Sequence, residues 1–244
     1  MLKNMTDSQN TENPQTVCII PARSGSKRIP DKNIRLFLGK PVIWYPIQAA
    51  RDSNLFDRII VSTDSEKIAA IARETGAETP FLRPQELADD FTPVTNVFQH
   101  VVQWMRNNQM DPKFICGMYA TALFVQKEHL VQGYDMIRKG KSERAFTVAP
   151  FPSPIFRALK INRKGHLEMI WPENFKTRSQ DFFQVYYNAG QFHWYHVDSL
   201  MEPSHNTESV SPIIISKYLA IDIDTQEDWE QAEMTYWGIL NFRR

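Results

Sequence analysis

Short apolar runs alternate with stretches of helical period along most of the chain. Val17-Cys18-Ile19-Ile20 is continuously apolar, which predicts a strand buried on both faces. PVIWYPIQAARDSN follows as a helix with Pro46 in its first turn. RIIVST is the next strand, and SEKIAAIARETG the next helix, with apolar positions 68, 71 and 72 and a terminal Gly76. The alternation continues through VTNVFQHVVQWMRNN as helix, KFICGMY as strand, KEHLVQGYDMIRKG as helix and RAFTVAP as strand. Strands separated by helices predict βαβ units, hence an α/β fold with a mostly parallel sheet covered on both faces.

The rhythm breaks after Pro150. FRALKI alternates, NRKG is turn-like, and FFQVYYNAGQFHWYH is an aromatic run, so residues 151–200 read as an antiparallel insertion. IIIS and YLAIDI then return to strand, and TQEDWEQAEMTYWGILNF closes the pattern as an amphipathic helix. This organisation is a single domain over 16–244, preceded by a polar tail over 1–15.

Composition narrows the partners. In 244 residues, Lys plus Arg and Asp plus Glu are 28 each, so no global field draws the protein to nucleic acid or to an anionic membrane. The N-terminal stretch lacks the apolar core of a signal peptide, and no run approaches a membrane span, so a cytoplasmic enzyme is the expectation. Cys18 and Cys116 both sit in apolar runs and read as buried strand residues.

Against that neutral background, the loop after the first strand holds Arg23, Lys27, Arg28, Lys32 and Arg35, opposed only by Asp31. A cationic loop at the carboxyl end of a strand in an open α/β sheet is placed to bind an anion. Backbone N–H groups of Ser24, Gly25 and Ser26 would curl around phosphate oxygens, with Gly25 free to take positive φ. Arg23 and Lys27 would supply the counter-charge. The plain alternative is a solvated basic loop. Neither GxxxxGK[ST] nor GxGxxG is present, so the loop points to phosphate without naming a nucleotide.

Asp222 and Asp224 stand two apart in AIDIDT, which on a strand puts both carboxylates on one face, a pairing suited to Mg²⁺. Alternatively Asp224 or Thr225 caps the last helix, with Asp228 near the third helical position. Thr63-x-x-Glu66 reads as a capping box for the helix after RIIVST. His193 and His196 fall on opposite faces of a strand, which argues against zinc.

The segments IPAR at 20–23, Ser26-Lys27, Lys32-Asn33, VSTD at 61–64, RPQELADD at 83–90 and DIDTQED at 222–228 together resemble the acylneuraminate cytidylyltransferases, which make CMP-activated nonulosonic acids. FPSPIFRAL and RSQDFFQVYYNAGQFHW, with Tyr119-Ala120-Thr121-Ala122, are most similar to the subgroup acting on pseudaminic acid. Leu123 stands where that subgroup has Pro, and YYNAGQF where it has YHDAGQF. The resemblance implies a Rossmann-like nucleotidyltransferase fold, CTP and an acidic nine-carbon sugar as substrates, Mg²⁺, and a homodimer built through the insertion. It also implies that Lys27 and Arg23 act on the phosphates, within a nucleotide site of Ala22, Arg23, Ser24, Gly25, Ser26, Lys27, Asn33, Arg83 and Thr121. Asp222 and Asp224 would hold the metal, and Gln180, Asp181, Asn188 and Gln191 would read the sugar. Rival readings are a CMP-sialic or CMP-legionaminic acid synthetase, a metal-dependent glycosyltransferase, and a nucleotide-binding regulator without turnover.

Overall fold

The computed structural model describes residues 15–202 and 209–242. The tail read over 1–15 lies, Gln15 apart, outside them. In chain order the elements are β1 (Thr16–Pro21), β2 (Leu36–Phe37), β3 (Lys40–Pro41), α1 (Trp44–Ser53), β4 (Arg58–Ser62), α2 (Glu66–Thr75), α3 (Val94–Asn107) and β5 (Phe114–Met118). Then come α4 (Lys127–Arg138), β6 (Arg144–Pro150), β7 (Leu159–Ile161), β8 (Leu167–Met169), β9 (Tyr186–His196), α5 (Val197–Met201), β10 (Val210–Ile214) and α6 (Gln226–Phe242). The central sheet has the order β10-β6-β9-β5-β1-β4. β1 pairs in parallel with β4 and β5, and β10 with β6. β9 runs antiparallel between β5 and β6.

The expected α/β class is thus observed, with one refinement. The insertion does not stay outside the main sheet: β7 and β8 form a separate antiparallel hairpin, while β9 becomes a central strand. The mainly parallel sheet explains the unbroken apolar run of β1. Cys18 and Ile20 pack on one face beneath α1 and α2, and Val17 and Ile19 on the other against α3. Cys18 and Cys116 are buried register partners with free thiols. No helix among the described residues is long and apolar enough to cross a membrane.

Two local expectations are corrected. YLAIDI is not a strand: residues 217–219 turn and 220–224 are irregular without a sheet partner, so the strand alternation expected to put Asp222 and Asp224 on one face is not what forms. The N-cap of α2 is Ser65, whose Oγ accepts from the Ile68 N–H at 3.4 Å, and Thr63 Oγ1 instead accepts from the Ser65 N–H at 3.2 Å. The Thr63-Glu66 box therefore does not form, because the helix begins one residue beyond Ser65.

A third apolar cluster sits beneath the sheet's carboxyl edge and joins Ile29, Phe37, Tyr45 and Leu123 to Ile223 and Trp229. It locks the start of α6 to the loop after β1. Arg35 lies over the Trp229 ring at 4.3 Å, and its Nη1 donates to Gln226 Oε1 at 2.9 Å. Close packing also fixes β5. A Cβ at Gly117 would come within 2.2 Å of the buried Phe98 ring. Gly117→Ala is expected to cost about 1–3 kcal/mol through overpacking, read as a lower urea midpoint at constant m-value. A wild-type midpoint would show that Phe98 swings aside freely.

Candidate active site

From β1 the chain crosses to β4 on one side, while β5 joins β1 on the other, so the strand order reverses between β1 and β5. Ligands in open α/β sheets bind beyond the carboxyl ends of strands at such a point. A cleft of about 440 Å³ opens there, lined by Arg23, Ser26, Lys27, Asn33, Arg83 and Thr121 among others. Six of the nine residues expected to hold the nucleotide therefore face one space. Of the others, Ala22 is fully buried and Ser24 and Gly25 lie in the same loop outside the lining.

The loop after β1 is braced from several sides. Ala22 N–H donates to Ser62 O at 2.9 Å, which carries the β1–β4 alignment past the strand end. Ser24 donates to Asp64 through its N–H at 2.8 Å and its hydroxyl at 2.6 Å. Asn33 Nδ2 donates to Arg23 O at 2.9 Å. The backbone cradle expected from Ser24, Gly25 and Ser26 is not open in this arrangement. Asp64 takes the Ser24 N–H, Ser24 O takes that of Ser26 at 2.9 Å, and Gly25 does not adopt the left-handed conformation. Side chains, not backbone amides, present the positive charge.

Arg23 Nη2 lies 2.6 Å from Asp90 Oδ1, and Lys27 pairs with Oδ2 of the same carboxylate. Lys27 and Arg23 hold the Asp90 carboxyl below its ordinary pKa. Arg83 is different. Its side chain is 3% exposed, its Nε and Nη2 find no hydrogen-bond acceptor, and its nearest carboxylate, Asp64, is 4.0 Å away. Burial pulls the guanidinium below its usual pKa; Asp64 opposes this and Arg23 adds to it. A buried guanidinium with unmet donors on a cleft wall is a strong attractor for a ligand acceptor. Among the described residues neither Glu86 nor Asp89 pairs with Arg83.

Asp224 also lines the cleft, where its Oδ1 meets Arg28 Nη2 at 2.9 Å and Lys32 Nζ at 3.4 Å. Lys32 Nζ further donates to Ile223 O at 2.6 Å. The cap of α6 belongs to others. Thr225 Oγ1 accepts from the Asp228 N–H at 3.2 Å while Asp228 Oδ2 accepts from the Thr225 N–H at 2.7 Å, a reciprocal box that leaves the Asp224 carboxylate free of capping. Asp222 sits beside Gly190, whose added Cβ would lie 3.5 Å from Oδ2. Its carboxylate is solvent-accessible but crowded, and among the described residues it accepts no hydrogen bond and makes no ion pair. This crowding, then the charge of Asp224, raises its pKa. Two hard carboxylates that repel each other suit a divalent cation. Among the described residues no third His, Cys, Asp or Glu joins them, so phosphate and water oxygens would complete an Mg²⁺ shell.

The four expected sugar readers are not gathered in the cleft. Gln180 and Asp181 lie exposed in a short turn beyond β8, with Asp181 paired to Arg178 at 3.1 Å. Asn188 is exposed on β9, and its Oδ1 accepts from the Gly190 N–H at 3.0 Å. Gln191 is 2% exposed, and its Nε2 donates to Leu219 O at 2.7 Å. Its amide nitrogen thus braces the segment leading to Asp222, while its buried Oε1 has no hydrogen-bond partner among the described residues. β9 bulges at this point. Pairing with β6 jumps from Phe146–His193 to Val148–Asn188, which pushes Gly190, at φ 63°, against Asp222. His193 and His196 are separated, one stacked on Phe146 and one edge-on to Phe114.

The motif reading passed over Asp64 and Asp90, which the structure makes the anchors of the basic loop. Their only signal was membership in VSTD and RPQELADD.

A covered α/β sheet with a cationic cleft at its switch point, Asp224 in its lining, is an architecture for binding nucleotide phosphates. The cytidylyltransferase family model matches residues 17–234, and the chain belongs to that family. A pseudaminic acid cytidylyltransferase of Campylobacter jejuni is 37% identical over 228 residues, covering 91% of this chain and 96% of that protein. A CMP-N,N'-diacetyllegionaminic acid synthase of Legionella pneumophila is 32% identical over 228 residues, covering 89% and 94%. Among solved structures, a CMP:2-keto-3-deoxy-manno-octonic acid synthetase complexed with CTP superposes with a TM-score of 0.67. It covers 92% of this chain and 99% of its own at 14% identity, a likeness of fold.

Proposed function

We propose that this CTP-using nucleotidyltransferase activates a nonulosonic acid, pseudaminic acid first among them, to give the CMP-sugar and pyrophosphate. The observation that carries the reading is the cleft at the β1/β5 switch point, lined by Arg23, Lys27 and the acceptor-seeking Arg83. Arg83 would grip the nucleotide while Arg23 and Lys27 hold its phosphates. The anomeric oxygen of the sugar forms a bond to the α-phosphorus as the bond to the bridging oxygen breaks, and pyrophosphate leaves with that electron pair. The hydroxyl proton passes to solvent. Charge grows on the phosphoryl oxygens and the leaving group, where Lys27 and Arg23 stabilise it. Asp222 and Asp224 would hold Mg²⁺, which would neutralise phosphate charge when bound.

The sugar would enter from the β9 side, where Asn188 and Gly190 lie next to Asp222. We further propose a cytoplasmic homodimer formed through the insertion. Its exposed Ile161, Leu167, Phe175 and Phe183 support this, being apolar surface without cover in one protomer.

The name of the Campylobacter jejuni relative favours pseudaminic acid, and that of the Legionella pneumophila relative supplies the second reading, a legionaminic acid. Turnover of CTP against pseudaminic, N,N'-diacetyllegionaminic and N-acetylneuraminic acids, with pyrophosphate and CMP-sugar both detected, tests them. Pseudaminic acid is expected to give the highest kcat/KM, since wrong stereochemistry leaves buried polar groups unpaired. Equal use of the sugars would defeat the substrate reading and leave the transferase intact.

A further inference from the structure

The phosphate-binding cations of this cleft are not bare. We propose that Asp90 is a resident anion that occupies the phosphate seat and is displaced from Arg23 and Lys27 by the nucleotide's phosphates, thereby setting how tightly phosphate-bearing ligands bind. The proposal rests on the phosphate role given above to those two cations.

Three observations carry it. First, the carboxylate bridges the two cations with one oxygen each, Oδ1 to Arg23 Nη2 at 2.6 Å and Oδ2 to Lys27. Two oxygens of a phosphoryl group would make the same pair of contacts. Second, Asp90 does nothing for the shape of its own loop. Its neighbour Asp89 does that, with Oδ1 accepting from the N–H groups of Phe91 at 2.9 Å and Thr92 at 2.6 Å. The Asp90 carboxylate can therefore leave its partners without unmaking the turn that carries it. Third, Phe91, the next residue, is 90% exposed, so the residue after Asp90 is not itself held in the core.

Arg83 marks the contrast. It lines the same cleft, yet its nearest anion stands 4.0 Å off. The cleft thus keeps Arg83 open to an incoming ligand, while Asp90 masks Arg23 and Lys27 and Asp224 pairs with Arg28 and Lys32. Every ligand that uses Arg23 and Lys27 must break the same two ion pairs with Asp90, whereas a nucleoside without phosphate breaks neither. Asp90 would also return to Arg23 and Lys27 as pyrophosphate departs, which favours release of a tightly held product.

The test measures affinity by isothermal titration in EDTA, with wild-type enzyme, Asp90→Asn and Asp90→Ala. Without metal, the phosphates compete with the Asp90 carboxylate alone. Both variants are expected to bind CTP and pyrophosphate about fivefold tighter, in keeping with the small worth of two half-exposed ion pairs, and to bind cytidine as wild type does. Unchanged or weaker binding of CTP overturns the proposal, and so does an equal gain for cytidine, which would mean a reshaped cleft. Lys27→Ala, measured alongside, separates the two layers. Weakened CTP binding there upholds the phosphate seat whatever Asp90 does, and unchanged binding removes the seat and the proposal together.

Discussion

Lys27→Ala is expected to lower kcat by about 100-fold or more, by analogy with the loss of one donor to a developing oxyanion. Its ammonium is among the most exposed in the cleft, with 79% of the side chain accessible, so the substitution leaves the core untouched. Arg23 remains on the other oxygen of Asp90, and Arg83 remains in the cleft lining, so the KM for CTP should rise less than kcat falls. Steady-state kinetics at saturating sugar separates the two effects. A variant with wild-type kcat and only a raised KM would reduce Lys27 to uniform binding.

The second large effect is expected at the acidic pair. Asp222→Asn and Asp224→Asn should each raise the Mg²⁺ concentration needed for half-maximal activity by roughly tenfold or more, since even outer partners of metal ligands are worth that much. The rival helix-cap role makes the opposite forecast for Asp224→Asn, because asparagine caps as well as aspartate. The structure has already moved the cap to Thr225 and Asp228. Binding of Mn²⁺, followed by its electron spin resonance, gives a readout independent of turnover. Wild-type metal response in both variants would make the pair structural.

Most of the architecture was legible because it rests on local periodicity. β1, β4, β5 and β6 are apolar runs of strand length, and the helices between them repeat apolar positions at helical spacing. The reading failed where side chains did the work of a sheet. YLAIDI alternates like a strand, but its carbonyls are taken by Gln191, at Leu219 O, and by Tyr187 Oη, at Ala220 O, instead of by a neighbouring strand. The insertion was legible as antiparallel, but its partners were not. Nothing within Tyr186–His196 announces that it will slip between β5 and β6, because pairing over such separations leaves no local trace.

The candidate site divides in the same way. Arg23, Lys27, Asn33, Arg83 and Thr121 came from short motifs, and the structure brings them to one cleft. Asp64 and Asp90 are tied to the loop by ion pairs and hydrogen bonds across 40 residues or more, which no spacing rule detects.

The position of β9 has a consequence for how the chain is made. Among the described residues β6 pairs with β9 and β10 alone, so a nascent chain that has reached Pro150 carries a finished strand with no neighbour to accept it. At translation speeds of roughly 5–20 residues per second, several seconds pass before the ribosome delivers Tyr186–His196. Throughout that interval the apolar side chains of β6, Ala145, Val148 and Ala149 among them, are open to whatever else is nearby. The length of the stretch between Pro150 and Tyr186 therefore acts as a timer on an unpaired edge: each residue added there lengthens the window in which a second nascent chain can reach the strand first.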